Sequence, residues 1–261
     1  MSSGTPITYK KFSTSNLKLS QIKTTPRGAK VVWVNYNEGP ISGSLYLQTP
    51  FGLRAPMGIT KWENEGQNPS YELLLSLNGE EGKKFADKLS EFDEFVKNEA
   101  LSKSKEWFKK NIDNMVVVET LYNPTLRLPR DKDTGEVTDK YPPSFRAKIP
   151  MSSEGKPECE VYEIVNGKPI SVDLEDLMER KSLKGASVTA IVKCSGIWFP
   201  QKFSASWQVQ QLLIETNSGM LKPCAFVGMS TPVANINSPD EGDEGYFNNY
   251  QDVESVEDNI E

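Results

Sequence analysis

Most apolar residues of this chain recur at every second position, and a single long stretch switches to helical spacing. That pattern confines the fold to a mainly β body with helical insertions. Tyr71, Leu73, Leu75 and Leu77 alternate within YELLLSL, the period that sends successive side chains to opposite faces of a strand. Strand composition is also found at Lys30 to Tyr36 (KVVWVNY), Ser44 to Gln48, Met115 to Tyr122, Ser144 to Ile149, Ser187 to Trp198 and Ser206 to Thr216. Asn166-Gly167, between strand-like runs in 160–172, is a strong hairpin signal, and a short last strand is expected at Cys224 to Met229.

The helical stretch begins after Asn78. Phe85, Leu89, Phe92 and Val96 form one apolar stripe whose plain reading is packing against a sheet. Asn78 and Glu81 resemble a capping box, Glu80 and Glu81 make the first turn acidic, and Lys109 and Lys110 make the end basic, as the helix dipole favours. A short helix is expected after a cap at Asp173, with Leu174, Leu177 and Met178 on one side. Three strands, a helix, then two strands is the order of the oligonucleotide-binding (OB) fold, a five-stranded Greek-key barrel, here elaborated by N-terminal strands and a long helix. An α+β sandwich built from the same elements is the alternative.

Composition narrows the function. Histidine is absent from all 261 residues, which removes the commonest general base, the Ser-His and Cys-His pairs and most zinc chemistry. Cys159, Cys194 and Cys224 are far apart and outside any Cys-x-x-Cys spacing, so neither a disulfide framework nor structural zinc is expected. No Gly-rich phosphate loop or isolated acid pair stands out. The expectation is a protein without enzyme activity, cofactor or metal. No run approaches the roughly 20 apolar residues of a membrane span and no signal-peptide core opens the chain, so an intracellular protein with no membrane partner is expected.

Charge is divided unevenly. The formal net charge is −6, yet Pro239 to Glu261 holds nine acids and no Lys or Arg, leaving 27 acids against 30 bases upstream. The body is therefore weakly cationic. The end of the chain is too charged and too poor in aliphatic residues to fold alone. The expected organisation is a flexible N-terminal segment (1–29), a binding domain (30–230) and a disordered acidic tail (231–261). The plain reading of the tail is a solubilising extension. Its rings Tyr246, Phe247 and Tyr250, set among acids that include Asp252, Glu254, Glu257 and Asp258, give it the chemistry of a single strand: negative charge with stackable faces.

The stretch KCSGIWFPQKFSASW, Lys193 to Trp207, places Trp198, Phe199, Phe203, Trp207 and two lysines in one strand-like segment. A strand buried on both faces would be a lysine-free run of Val, Ile and Leu. Single-stranded nucleic acid instead needs π-faces for bases and cations for phosphates. Parity in FRAKIP puts Arg146 and Lys148 on one face, while Lys193 faces away from the apolar side of SVTAIVKC. Each basic residue alone reads as ordinary solvated surface. Together with Trp198, Phe199, Lys202 and Phe203 they make a candidate groove. Arg54, Lys61 and Trp62, beside Phe51 in a Gly- and Pro-rich loop, are further candidates. Trp33 and Trp107 read as core, Trp207 is ambiguous, and Arg127 and Arg130 flank a loop where they either track phosphates or stand idle.

The segments YPPSFRAKIP (141–150), CEVYEI (159–164), LKGASVTAIVKCSGIWF (183–199) and KFSASWQVQQLLI (202–214) resemble the single-stranded-DNA-binding proteins of large nucleocytoplasmic DNA viruses, distant relatives of the podophage single-stranded-DNA-binding protein. The resemblance covers the C-terminal half of the folded region and the tail. It implies an OB-fold protein that coats DNA during viral replication, repair and recombination, at a replication site in the host nucleus or cytoplasm. It also implies strand contacts by Arg146, Lys148, Trp198, Phe199, Lys202 and Phe203, and an acidic tail that meets replication proteins. The podophage tail ends in an aromatic residue, whereas this chain ends in Ile260-Glu261. A viral structural or scaffold protein and an OB-type RNA binder are the alternatives, and a homo-oligomer is compatible with either reading of the surface.

Overall fold

Two long strands, Ala186–Trp198 and Ser204–Glu215, form the antiparallel hairpin on which the other strands assemble. Val188, Ala190, Val192 and Cys194 on one strand and Trp207, Val209, Leu212 and Ile214 on the other are buried, by alternation on the first and with a one-residue shift at Gln210 on the second. At thirteen and twelve residues, each would run on the order of 40 Å if straight, too long for one side of a small barrel. Register shifts at Ile191/Val192 and Cys194/Gly196 are the bulges that bend it. Gly196 is obligatory at the second: its φ is 122°, and a Cβ there would lie 2.8 Å from Val31 Cγ2 and 3.0 Å from Val32 O. Only glycine lets the strand Lys30–Val32 pair with Ile197 and Trp198.

The computed structural model describes residues 4–63, 69–152, 154–165, 167–179 and 183–215. The strand expected at Cys224 to Met229 and the tail residues lie outside them. Within them, Leu53–Ala55 pairs with Ala186 to Val188, and Arg54 pairs with Ser76 of the next strand, Ser70–Ser76. That strand runs antiparallel to Ser144–Ile149, from Tyr71 opposite Ile149 to Ser76 opposite Ser144. Ser144–Ile149 then lies parallel to Ser204–Glu215 through Lys148 opposite Gln208. The five strands close a ring in the order 1-2-3-5-4 and back to 1, with one parallel step. This is the Greek-key ring of the OB barrel.

The helices enter differently from the expected order. The long helix Gly79–Ser102 follows the second barrel strand rather than the third, and the helix Leu174–Glu179 lies between the third and fourth together with the hairpin Glu160–Val165 and Lys168–Val172. Asn78 caps the long helix, its Oδ1 accepting from Gly79 N at 2.8 Å. Glu81 does not complete a capping box; it binds the Tyr9 hydroxyl and Lys10 instead. The helix stops before Lys109 and Lys110: Lys103 interrupts it, Ser104–Phe108 follows, and Lys109 turns left-handed at φ 59°. Met115–Leu121 is a helix, not a strand. Asn114 caps it through Val116 N at 2.9 Å, only Val118 of its three valines is buried, and Glu119 pairs with Lys97 of the long helix at 3.2 Å. Local capping and docking onto a helix override the β preference of the valines.

Phe85, Leu89, Phe92 and Val96 are all buried. Their helix covers the mouth of the barrel, Phe85 meeting Phe145 edge-on at 5.6 Å and Phe92 meeting Trp207 at 5.3 Å. Part of the segment expected to be flexible, residues 7–19, is packed. Ile7, Tyr9, Phe12 and Leu17 are buried and Ile7–Thr8 adds a parallel strand beside Tyr46–Gln48; apolar anchors spaced among Ser and Thr are enough to dock the segment. Trp33, read as core, is 39% exposed, because the strand breaks there between Lys30–Val32 and Val34–Glu38. None of the described helices is long and apolar enough to cross a membrane.

Asp93 ties the long helix to the barrel. Its carboxylate is 5% exposed and accepts from Tyr122 Oη at 2.6 Å, Thr125 N at 2.9 Å and Leu126 N at 3.0 Å. Burial outweighs these donors and raises its pKa. Asp93→Ala strands three donors and is expected to lower stability by on the order of 3 kcal/mol in urea denaturation. The unfolded carboxyl ionises first, so Asp93-linked stability falls as pH rises between its unfolded and folded values. The gap between wild type and Asp93→Ala should narrow across that window.

Candidate nucleic-acid interface

Register sets which side chains share the outer face. In Ser144–Ile149, Phe145, Ala147 and Ile149 are buried while Arg146 is half-buried and Lys148 exposed. Lys148 lies opposite Glu72 on one side and Gln208 on the other, Gln208 lies opposite Lys193, and Lys193 lies opposite Tyr46. One outward row therefore crosses five strands, with the Lys193 ammonium 5.5 Å from the Tyr46 ring. A parallel row joins Arg54, Ser76, Ser144 and Arg127.

Arg146 sits between these rows. Its Nη1 donates to Glu72 Oε2 at 2.8 Å, and its guanidinium lies 5.8 Å from the Trp62 ring. Trp62 is 48% exposed, held opposite Ser70 by the strand Ile59–Trp62. Its neighbour Lys61 lies opposite the inward Tyr71 and pairs with Glu63 at 2.5 Å, so Lys61 and Trp62 do not share a face. The protein atoms around the Arg127 guanidinium, and then the charge of Arg146, push its pKa below the usual range, with Glu72 opposing. Glu72 pairs with Arg146 alone, and Arg127 feels its charge only at longer range. The cluster keeps a net positive charge that suits an anion.

From Arg127 a groove of about 920 Å³ continues past Arg130 and Lys97 to Lys202, with Glu94 and Glu119 on its helix side. Lys202 belongs to the turn between the fourth and fifth barrel strands, where Trp198 and Phe199 are half-buried. Phe203 corrects the sequence reading. It is 1% exposed, with its ring 4.9 Å from that of Tyr122 and 5.3 Å from that of Phe108. Phe203 N donates to Leu121 O and Asn123 N donates to Phe203 O, each at 2.9 Å; these bonds pin it inward. Trp207, ambiguous by sequence, is buried, as is Trp107.

The structure thus gathers Trp62, Arg146 and Lys148 with Arg127, and leads from them to Lys202, Trp198 and Phe199. Lys193 lies round the barrel and Arg54 on its first strand. The positive cluster at Arg127 was not distinguishable in sequence from an idle loop residue, because pairing with Ser144 across 17 residues creates it. Burial pushes the Cys159 and Cys194 thiols up to about 12, which leaves both uncharged and poorly nucleophilic.

No family model matches the chain and no curated protein does. Among solved structures it is similar to the bacteriophage T7 single-stranded DNA binding protein gp2.5, at 11% identity and a TM-score of 0.38 over 66% of this chain and 87% of that one. It is also similar to the single-stranded DNA-binding protein of bacteriophage Enc34 in complex with ssDNA, at 9% identity and a TM-score of 0.38 over 76% and 94%. A C-terminal truncation of the Enc34 protein scores 0.33 at 10% identity, over 76% of this chain and 95% of that one. Such scores are too low to bear weight, so the barrel assignment rests on the strand pairing itself.

Phe203→Ala is expected to lower stability by roughly 3–5 kcal/mol, the loss from emptying an aromatic core site. Trp62→Ala should change it by less than about 1 kcal/mol, because the ring is already half in water. Urea denaturation of the two variants separates core from surface.

Proposed function

We propose that this chain is a non-enzymatic, sequence-tolerant single-stranded-DNA-binding protein of the large nucleocytoplasmic DNA virus kind, acting in viral DNA replication, repair and recombination. One observation carries the reading: the outer face of a closed OB barrel joins the cations Arg146, Lys148, Arg127 and Lys202 to the partly exposed rings Trp62, Trp198 and Phe199. Cations can follow a phosphate backbone, and rings can stack any base at about 1–3 kcal/mol each. Arg146 has a dual role, steadying Trp62 and offering remaining donors to a phosphate. Lys193 and Arg54 extend the positive surface around the barrel, and Lys61 is the weakest of the proposed contacts.

The acidic tail, 239–261, is a tethered polyanion on the same chain as a cationic face. On this reading it competes with DNA, and its displaced rings and acids, among them Tyr246, Phe247, Tyr250 and Asp252, recruit replication proteins at the viral replication site.

The test is tryptophan fluorescence, with a mobility-shift control, during titration with oligothymidine, a matched duplex and the equivalent RNA. Salt-sensitive binding of oligothymidine well above duplex supports the reading; no binding of any of the three favours a structural role, and preference for RNA favours an RNA binder. Lys148→Ala should reduce the slope of log K against log salt by about 0.7, one phosphate contact on a single strand. Deleting residues 239–261 should tighten binding, most at low salt, where a tethered charge acts over the longest range. Unchanged or weaker binding by the truncated chain would remove the competition role.

A further inference from the structure

Beside the turn between the fourth and fifth barrel strands lies a second pocket of about 690 Å³, walled also by Arg27 to Lys30 and by the short helix Ser104–Phe108. That volume lies within the roughly 300–1,000 Å³ of small-molecule sites. Phe108, Trp198 and Phe199, all half-buried, supply its rings, and Lys202 joins it to the Arg127 groove. Arg27, Lys30 and Lys202 stand exposed at its rim. Two of these cations come from a part of the sequence that showed no sign of a binding role.

Trp107 lines the same pocket. It is 2% exposed, and its Nε1 is a buried donor without a hydrogen-bond partner among the described residues. An indole N–H is a donor only, and buried donors are nearly always satisfied. The missing partner is an acceptor. Rings on the walls suit a flat group, and cations at the rim suit negative charge attached to it.

We infer that the pocket takes one unstacked nucleobase of the bound strand, an acceptor on its edge meeting Trp107 Nε1 and its flanking phosphates meeting Arg27, Lys30 and Lys202. The assignment rests on the single-strand reading and adds Arg27, Lys30 and Trp107 to it. The Phe199 ring, centred 5.4 Å from that of Trp107, turns outward to admit the base and covers it. Because every natural base carries an edge acceptor, the pocket fixes the register of the strand without selecting a sequence.

The full-length protein is titrated with oligothymidine and with a strand in which difluorotoluene, a thymine-shaped group that is a very poor acceptor, replaces every thymine. Wild type is expected to bind the substituted strand about threefold to tenfold more weakly, the worth of one neutral hydrogen bond. Trp107→Phe, which keeps a ring but removes the N–H, should close most of that gap. Equal binding of both strands by wild type, or a gap undiminished in Trp107→Phe, would overturn the assignment while leaving single-strand binding intact. Failure of wild type to bind oligothymidine at all would remove the functional reading and this one together. The surface variant Arg27→Ala/Lys30→Ala does not depend on the core tolerating a smaller ring in place of Trp107: its salt slope should fall by about 1.4, and an unchanged slope would remove both residues from the site.

Discussion

The carboxylate of Asp93 holds together the parallel seam of the barrel. The ring of strands has one parallel step, and Lys148 opposite Gln208 is its single register pair. Towards Ser144 the gap is filled by Leu126–Arg127, paired to Phe145 and Ser144, and by the long helix above. Asp93 binds both, accepting from Tyr122, Thr125 and Leu126 while its own helix presses Phe85 and Phe92 onto the barrel aromatics. Arg127 follows Leu126 directly. The same buried bonds that close the seam therefore set the position of a cation on the outer surface.

This arrangement would reconcile an acidic protein with the anionic ligand proposed for it. The net charge of −6 is an average over a body and a tail of opposite sign, and a binding strand senses local field rather than the total. On the outer face the local balance is set by three groups. Arg146 pairs with Glu72, Arg127 lies near enough to feel both charges, and Trp62 shields one side of the Arg146 guanidinium. A single carboxylate orients Arg146 without neutralising the pair.

Periodicity made the strands legible wherever one face was buried. FRAKIP and SVTAIVKC bury the residues that their alternation selects, YELLLSL buries Leu73, Leu75 and Leu77 and half-buries Tyr71, and the helix stripe from Phe85 to Val96 is buried throughout. Legibility failed where long-range contacts decide the outcome. Met115–Leu121 is helical because of a cap and a neighbouring helix, and Phe203 is buried because Leu121 and Asn123 hold its backbone. Trp33 is exposed because its strand breaks and Gly196 admits the preceding residues to the barrel. For the candidate site, residue type and parity placed Arg146 and Lys148 on the outer face, as they are; which rings stand beside them depended on pairing between distant segments.

Closing the barrel also decides where this chain is exposed to self-association. Ring strands have no unpaired edge, so the open backbone of the large sheet is displaced to strands outside the ring, among them Lys168–Val172 at one end. That strand begins with Lys168 and Pro169: a charge and a residue without an N–H, both of which discourage another strand from adding on. Proteins crowded shoulder to shoulder along a polymer meet one another at very high local concentration. On the proposed reading, an edge blunted in this way would let copies bound along one strand remain neighbours without becoming a continuous sheet.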